Sequence, residues 1–247
     1  MRAAVEAAVA WVNAELGGVG GRPIELSTCV TRFDPAASAA CAESLADAGA
    51  VAFVGGVDVT STDAVAVIER RGLVTVGGIP ATLAEQRSPR AFYFSGGDAG
   101  ALAAFMSYAA QRGDRRVALA YGREVDSFEV AARDYGAEVG RSLGLEVDLV
   151  PFSVLDTDFT PLLDAVTASG ADSLMVLAAT SACVPVMTAA AAVEMPLFLT
   201  GACAGLPTTD AAGDAARAVV FNAEGAVDGA DTEASIYLDV IDRSEEH

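Results

Sequence analysis

Four cysteines and a single histidine are the side chains of this 247-residue chain best suited to metal binding or thiol chemistry. They fall as two local pairs, Cys29 with Cys41 and Cys183 with Cys203, and the histidine is the terminal His247. Neither pair has zinc-ligand spacing, and no metal or cofactor is expected. An even number in local pairs leads to two structural disulfides, and so to an oxidising compartment outside the cytoplasm. The alternative is four buried thiols. Enzymatic signatures are missing as well: there is no G-x-S-x-G elbow, no P-loop and no H-E-x-x-H. The Gly17–Gly21 run follows a helical pattern and precedes a strand, the reverse of a dinucleotide-binding turn. The chain is not expected to be an enzyme.

The remaining polar clusters are suited to holding a ligand rather than transforming one. Val59-Thr-Ser-Thr62 is rich in hydroxyls, and Pro80-Ala-Thr82 combines a rigid turn with a hydroxyl. The net charge is −19, and all 15 basic residues are arginine. Such a surface repels phosphate backbones, which excludes nucleic acid as a partner. It fits either work at high ionic strength or a genome that avoids lysine codons. No run reaches the ~18 apolar residues of a membrane span.

The elements that must position these clusters alternate along the chain. Val5, Val9, Val12 and Leu16 recur at helical spacing up to Gly17-Gly18, and 24–28 reads as a strand. A helix is predicted over 35–48, with Asp34 as N-cap and Pro35 in its first turn. The continuous apolar run 50–54 predicts a strand buried on both faces, followed by a helix over 61–71 and a strand over 73–76. Residues 77–91 show no periodic element, and a short extended piece, 91–94, leads to Gly96-Gly97. Helices over 98–112, 127–143, 159–169 and 183–193 then alternate with strands over 116–120, 146–150, 173–178 and 197–199. A return strand is read at 219–221 and a final helix at 231–242. The expected fold is α/β: two doubly wound parallel-sheet lobes joined by a hinge near 94–97 and again near 219–224. Lobe I covers 1–95, lobe II 96–220, and 221–247 returns to lobe I. A composition 53% hydrophobic but only 6% aromatic suits this layering, because small side chains let helices approach a sheet closely.

The first lobe opens on a helix where its sheet should begin with a strand, and the last elements of that lobe are few. Secretion is implied by the cysteines, yet Met1 runs straight into a helical pattern with no signal segment. The reading that reconciles these features is a partial copy lacking both ends.

Three stretches carry a resemblance. They are Asn13-Ala-Glu-Leu-Gly-Gly-Val-Gly-Gly-Arg-Pro-Ile-Glu-Leu26, Ala50-Val-Ala-Phe-Val-Gly-Gly56 with Val59-Thr-Ser-Thr62, and Asp156-Thr-Asp-Phe-Thr-Pro-Leu-Leu163. In this order and spacing, across roughly residues 3–242, the chain resembles the type I periplasmic binding proteins, in the branch of leucine/isoleucine/valine-binding proteins of ABC transporters. The resemblance implies a solute held between two closing lobes and passed to a membrane permease, with no chemistry. It implies a periplasmic or extracellular location, and membrane contact only through a lipid anchor on a missing N-terminus. The paired cysteines are similar to a sub-branch with one disulfide per lobe.

The same resemblance assigns a site. Thr60 and Ser61, beside Asp58, would hold a carboxylate with hydroxyls and amides, and Pro80, Ala81 and Thr82 would meet an amino group. In the second lobe Tyr121, Asp126, Thr180, Ser181 and Ala202 occupy the corresponding loops. Departures occur there. No Tyr precedes Asp126, and no acid follows Gly201 until Asp210. Either Asp58, Asp126 or Glu124 pairs the ligand ammonium, or the ligand is not an amino acid. A ligand-sensing domain of a receptor or regulator with the same fold is the alternative role, since fold alone does not separate transport from sensing.

Overall fold

The computed structural model describes residues 2–32, 34–153, 155–178, 180–221 and 235, with Asp126, Leu206, Val220 and Phe221 described through their backbone. The chain divides into two compact units: Met1–Gly78 with Ser88–Phe92 and Glu224–His247, and Ile79–Arg87 with Tyr93–Ala223. Ile79–Arg87, which the sequence reading left with lobe I, groups here with the second unit.

The first unit contains α1 (Arg2–Glu15), α2 (Pro35–Asp47), β1 (Phe53–Val54), α3 (Thr62–Arg70) and β2 (Thr75–Val76). A later strand, Ala91–Phe92, completes its sheet and is β3 in chain order. α2 starts as its sequence dictates: the Asp34 side chain accepts the Ala36 N–H, and Pro35 fills the first turn. The three strands run parallel in the order β1-β2-β3, with Phe53 opposite Thr75 opposite Ala91 and Val54 opposite Val76 opposite Phe92. One face of this sheet packs on α2 and α3 through Ala42, Ala64, Val67 and Ile68, with Phe53 and Leu73 against them.

Two expectations fail in this unit. Residues 24–28 form no paired strand; instead the Asn13 side-chain amide takes both backbone groups of Ile24, donating to its carbonyl at 2.9 Å and accepting its N–H at 2.7 Å. A side chain thus stands in for a neighbouring strand at one residue, and the ladder goes no further. The run 50–54 is not buried on both faces: only Phe53 and Val54 pair, and Val51 is 87% exposed. On the face bearing Val54 and Phe92, those two side chains are mostly exposed among the described residues.

The second unit starts with α4 (Leu83–Arg87), a short helix inside the stretch expected to be irregular. It continues with α5 (Gly97–Arg112), β4 (Arg116–Gly122), α6 (Asp126–Val130), α7 (Ala137–Ser142), β5 (Glu146–Phe152), α8 (Thr160–Ser169), β6 (Ser173–Leu177), α9 (Cys183–Ala192), β7 (Leu197–Thr200), α10 (Leu206–Ala212) and β8 (Val219–Phe221). The helix expected over 127–143 is present but changes to π-helix at Ala131–Gly136 between α6 and α7. It lies close against the sheet. A Cβ on Gly136 would sit 2.6 Å from Leu119 Cδ2, and one on Gly140 would sit 2.5 Å from Val147 Cγ2.

All five strands are parallel, in the order β5-β4-β6-β7-β8. The expected return strand is therefore β8, the edge of this sheet, while the helix expected over 231–242 lies outside the described residues apart from Ser235. Strand residues alternate between two cores. Ala118, Ala120, Leu174 and Val176 pack with α8 and α9, whereas Val117, Leu119, Met175 and Leu177 pack with α5 and the helix after β4. That two-sided burial is what continuous apolar strands predict. Both disulfides are formed, Cys29–Cys41 with Cα atoms 6.1 Å apart and Cys183–Cys203 with Cα atoms 5.5 Å apart.

Candidate functional site

In open parallel sheets, ligands meet the chain beyond the C-terminal ends of strands, above all where strand order reverses. Every polar cluster singled out in the sequence lies at such an end. In the first unit, the loop leaving β1 carries Asp58, Thr60 and Ser61 into α3. Asp58 is the hub of this loop. Its Oδ1 accepts the Thr60 N–H at 2.9 Å and the Thr60 hydroxyl at 2.5 Å, and its Oδ2 accepts the Ser38 hydroxyl at 2.8 Å. Partial burial opposes the charge, but the hydrogen bonds from Thr60, Ser38 and Thr31 outweigh it and hold the Asp58 carboxyl below its ordinary value. Thr60 is thereby committed to Asp58, and Ser61 is buried. The loop after β2 lies against this one: a Cβ on Gly78, at φ +70°, would come within 2.5 Å of the Gly55 carbonyl oxygen.

In the second unit, Pro80, Ala81 and Thr82 form the loop into α4. Thr82 is its N-cap in a reciprocal arrangement: the Glu85 N–H donates to Thr82 Oγ1 at 3.3 Å, and Glu85 Oε2 accepts the Thr82 N–H at 3.0 Å. The same Oε2 also accepts the Ala81 N–H at 2.6 Å. Thr82 and Glu85 are only 4% and 6% exposed. Burial and the neighbouring Glu85 carboxylate push the Tyr93 phenol well above its ordinary pKa. Gly97, at φ +55°, closes the other side, since a Cβ there would meet Pro80 O at 3.1 Å. The sequence reading missed Glu85 and Ser38. Thr82-Leu-Ala-Glu85 is a capping-box spacing, and it was the available signal for Glu85; nothing local marks Ser38.

The reversal of strand order in this unit falls between β4 and β6, with β5 on the far side of β4. Tyr121, near the end of β4, is 7% exposed and belongs to the core cluster beneath α5, so its ring serves packing. The Asp126 side chain lies outside the described residues. Beside it, Ser127 Oγ is buried and has no hydrogen-bond partner among the described residues. Thr180 and Ser181 form an exposed 3-10 turn after β6, and Ala202 is exposed in the turn after β7. The buried Cys183–Cys203 bridge ties those two turns together. Glu124, one of the acids weighed as an ammonium partner, lies 3.5 Å from Arg123.

Among the described residues no three His, Cys, Asp or Glu side chains come together as a metal site, and no helix is long and apolar enough to cross a membrane.

Solved structures of similar fold are numerous. A leucine-, isoleucine-, valine-, threonine- and alanine-binding protein from Brucella ovis, in a closed conformation, matches with a TM-score of 0.84 at 17% identity, covering 100% of this chain and 66% of that one. A solute-binding protein of an ABC transporter from R. palustris, in complex with 4-hydroxybenzoate, matches at 0.81 and 19%, covering 98% of this chain and 68% of that one. A leucine-binding protein from Thermotoga maritima matches at 0.80 and 19%, covering 100% and 72%. No curated protein matches the chain by sequence. At these identities the neighbours establish the fold. The family model of the periplasmic binding proteins, which are solute binders and not enzymes, matches residues 1–240. With that match running through both units, the chain belongs to the periplasmic binding protein family.

Proposed function

We propose that the protein is the extracytoplasmic solute-binding component of an ABC transporter, capturing a small solute between its two lobes and delivering it to a permease. The solute is branched-chain amino acid-like, an amide or a carboxylate. Lobe I is taken as 1–95 with 221–247, and lobe II as 96–220; a lipid anchor on a longer form would hold the protein at the membrane. The observation that carries this reading is positional. In each unit the loops rich in hydroxyls and backbone polar groups leave the C-terminal ends of parallel strands: Asp58–Ser61 after β1, Pro80–Thr82 after β2, Thr180–Ser181 after β6 and Ala202 after β7. The leucine-binding protein and the 4-hydroxybenzoate complex among the neighbours support solutes of that size.

A thermal-shift screen against amino acids, small amides and carboxylates tests the proposal, because a solute that binds only the folded protein raises its unfolding temperature by mass action. Ligands should be found within one of those classes. Thr82→Ala should weaken binding of the active compound by ~1–2 kcal/mol, as for one hydrogen bond. Unchanged affinity would remove the Pro80–Thr82 loop from the site.

A further inference from the structure

We propose that Thr31 and Ser38 position the loop after β1 through Asp58, and that the Cys29–Cys41 bridge clamps both of them there. Its reduction by a dithiol then weakens solute capture without unfolding the first unit. This rests on the solute-binding reading above and adds a control to it. All the residues concerned lie in one compact unit. The bridge joins an irregular segment to α2 across 12 residues, with Cα atoms 6.1 Å apart. From each side of it a hydroxyl reaches Asp58. Thr31, two residues beyond Cys29, donates one hydrogen bond to the carboxylate. Ser38, three residues before Cys41 and so on the same face of α2, donates another at 2.8 Å. Asp58 in turn accepts the N–H and the hydroxyl of Thr60. The contacts therefore run from the bridge, through two hydroxyls and one carboxylate, to the backbone of the loop.

The two hydroxyls differ in what else holds them. Ser38 is 3% exposed, in a helix that Asp34 caps. Thr31 sits in a segment without helix or strand, fixed at Ile24 by Asn13 and at Cys29 by the bridge. The next residue, Arg32, has φ +53°, a left-handed backbone that is costly for a residue with a Cβ and persists only where its surroundings hold it. Opening the bridge therefore frees Thr31 first, and Asp58 loses a donor. A loop that must be ordered as the solute arrives binds it less tightly than one already in place. The bridge is also open to reagents, because Cys29 is exposed while Cys183 and Cys203 are buried. A thiolate of the dithiol attacks the Cys29 sulfur, and Cys41 leaves as a thiolate that takes up a proton. The second thiol of the reagent then closes the reagent's own disulfide and releases Cys29 as a thiol. The bridge gains two electrons and the dithiol loses two.

The test treats the full chain with a small dithiol, and maleimide mapping identifies the state in which only Cys29 and Cys41 are reduced. In that state the Thr60 amide should exchange its hydrogen on the order of tenfold faster than in the oxidised chain, the scale of one hydrogen bond to a charged group. The Phe53 amide, which donates to the Val74 carbonyl at 2.8 Å in the same unit, should change little. Equal acceleration of both amides would mean that the bridge only stabilises the unit as a whole, and overturns the positioning role, as does an unchanged Thr60. With the bridge intact, Thr31→Val should reproduce the faster Thr60 exchange and Thr31→Ser should restore the slow one. Native exchange in Thr31→Val removes Thr31 from the clamp. Reduction of Cys183–Cys203 under the same conditions would overturn the redox control, since the first bridge could not then be addressed alone. Calorimetry with leucine and 4-hydroxybenzoate reads the function. Whichever binds the oxidised chain should bind the reduced one about three- to tenfold more weakly, and equal affinity overturns the control of capture. If neither binds the oxidised chain, capture of these solutes fails and its control with it, whereas the exchange rates still decide whether Thr31 positions the loop.

Discussion

In the sheet of β4–β8, Val117, Leu119, Leu174, Met175 and Leu199 have no measurable exposure, and helices cover both faces. In the sheet of β1–β3, Val54 is 65% exposed and Phe92 58%, and the buried cluster consists of Ala42, Ala64, Val67 and Ile68. Both regions are written in the same strand–helix alternation, with similar apolar runs. The difference lies in strand length. Seven-residue strands such as β4 and β5 present several residues to each face, while two-residue strands present one. Alternation specifies topology, and the amount of ladder formed specifies how much apolar surface leaves the water.

The largest effect that could break this comparison is a matched pair of truncations. Leu119→Ala removes a fully buried side chain at the centre of the larger core, and should cost about 3–4 kcal/mol. Ile68→Ala, in a four-residue cluster at the edge of water, should cost about 2 kcal/mol, near the lower end of the same range. Urea unfolding can follow the first by circular dichroism and the second by the fluorescence of Trp11, the only tryptophan and a residue of the first unit. Equal losses would mean that the small cluster is better packed than its exposure implies.

The disulfides sharpen the comparison on a smaller scale. Cys183 and Cys203 are buried within the second unit, whereas Cys29 is exposed and Cys41 half-buried in the first. Exchange requires an attacking thiolate to reach a sulfur. Graded reduction with maleimide trapping and peptide mapping should therefore label Cys29 and Cys41 first. Each bridge closes a loop of comparable length, with separations of 12 and 20 residues, so each should contribute about 3 kcal/mol. Earlier labelling of Cys183 would show that the second unit opens more readily than its core suggests.

What was legible in the sequence follows the same division. The strands and the longer helices of the second unit were readable within a few residues, because long apolar strands and capped helices are local signals reinforced by packing, whereas the short α4 and α10 were not read. The Asp34-Pro35 start of α2 was equally plain, since the N-cap bond spans only two residues. Residues 24–28 look like a strand by composition, but a ladder needs a second chain segment, and Asn13 supplied a side chain instead. α4 was overlooked although Thr82 and Glu85 stand at capping-box spacing, because five residues are too few to show a helical period. The site loops were found by their place after strands. The direction of their hydrogen bonds was not, because whether Thr60 faces outward or turns to Asp58 depends on the loop's backbone path and on Ser38, 20 residues away.

The smallest effect concerns that same carboxylate. Asp58 is held below its ordinary pKa in the folded state, despite the opposing effect of its partial burial, by donors from Thr60, Ser38 and Thr31. A depressed folded pKa means that the unfolded chain binds the proton more tightly, so the ionised form stabilises the fold at pH values above the unfolded pKa of about 3.9. That contribution is lost as pH falls through the folded pKa. Asn at this position does not titrate. The unfolding temperatures of the native protein and Asp58→Asn should therefore differ by a constant amount from about pH 7 to 5, and converge on acidification below about pH 4. In the second unit, Asp172 is likewise lowered, by the backbone N–H groups of Arg115 and Arg116, but it is almost fully solvated. Asp172→Asn should follow the same acid-side pattern with a smaller gap, because water competes for those donors. A gap at Asp172 larger than at Asp58 would mean that the polar loop of the first unit is as open to water as its exposed strands, and that its hydrogen bonds add little to the stability of that loop.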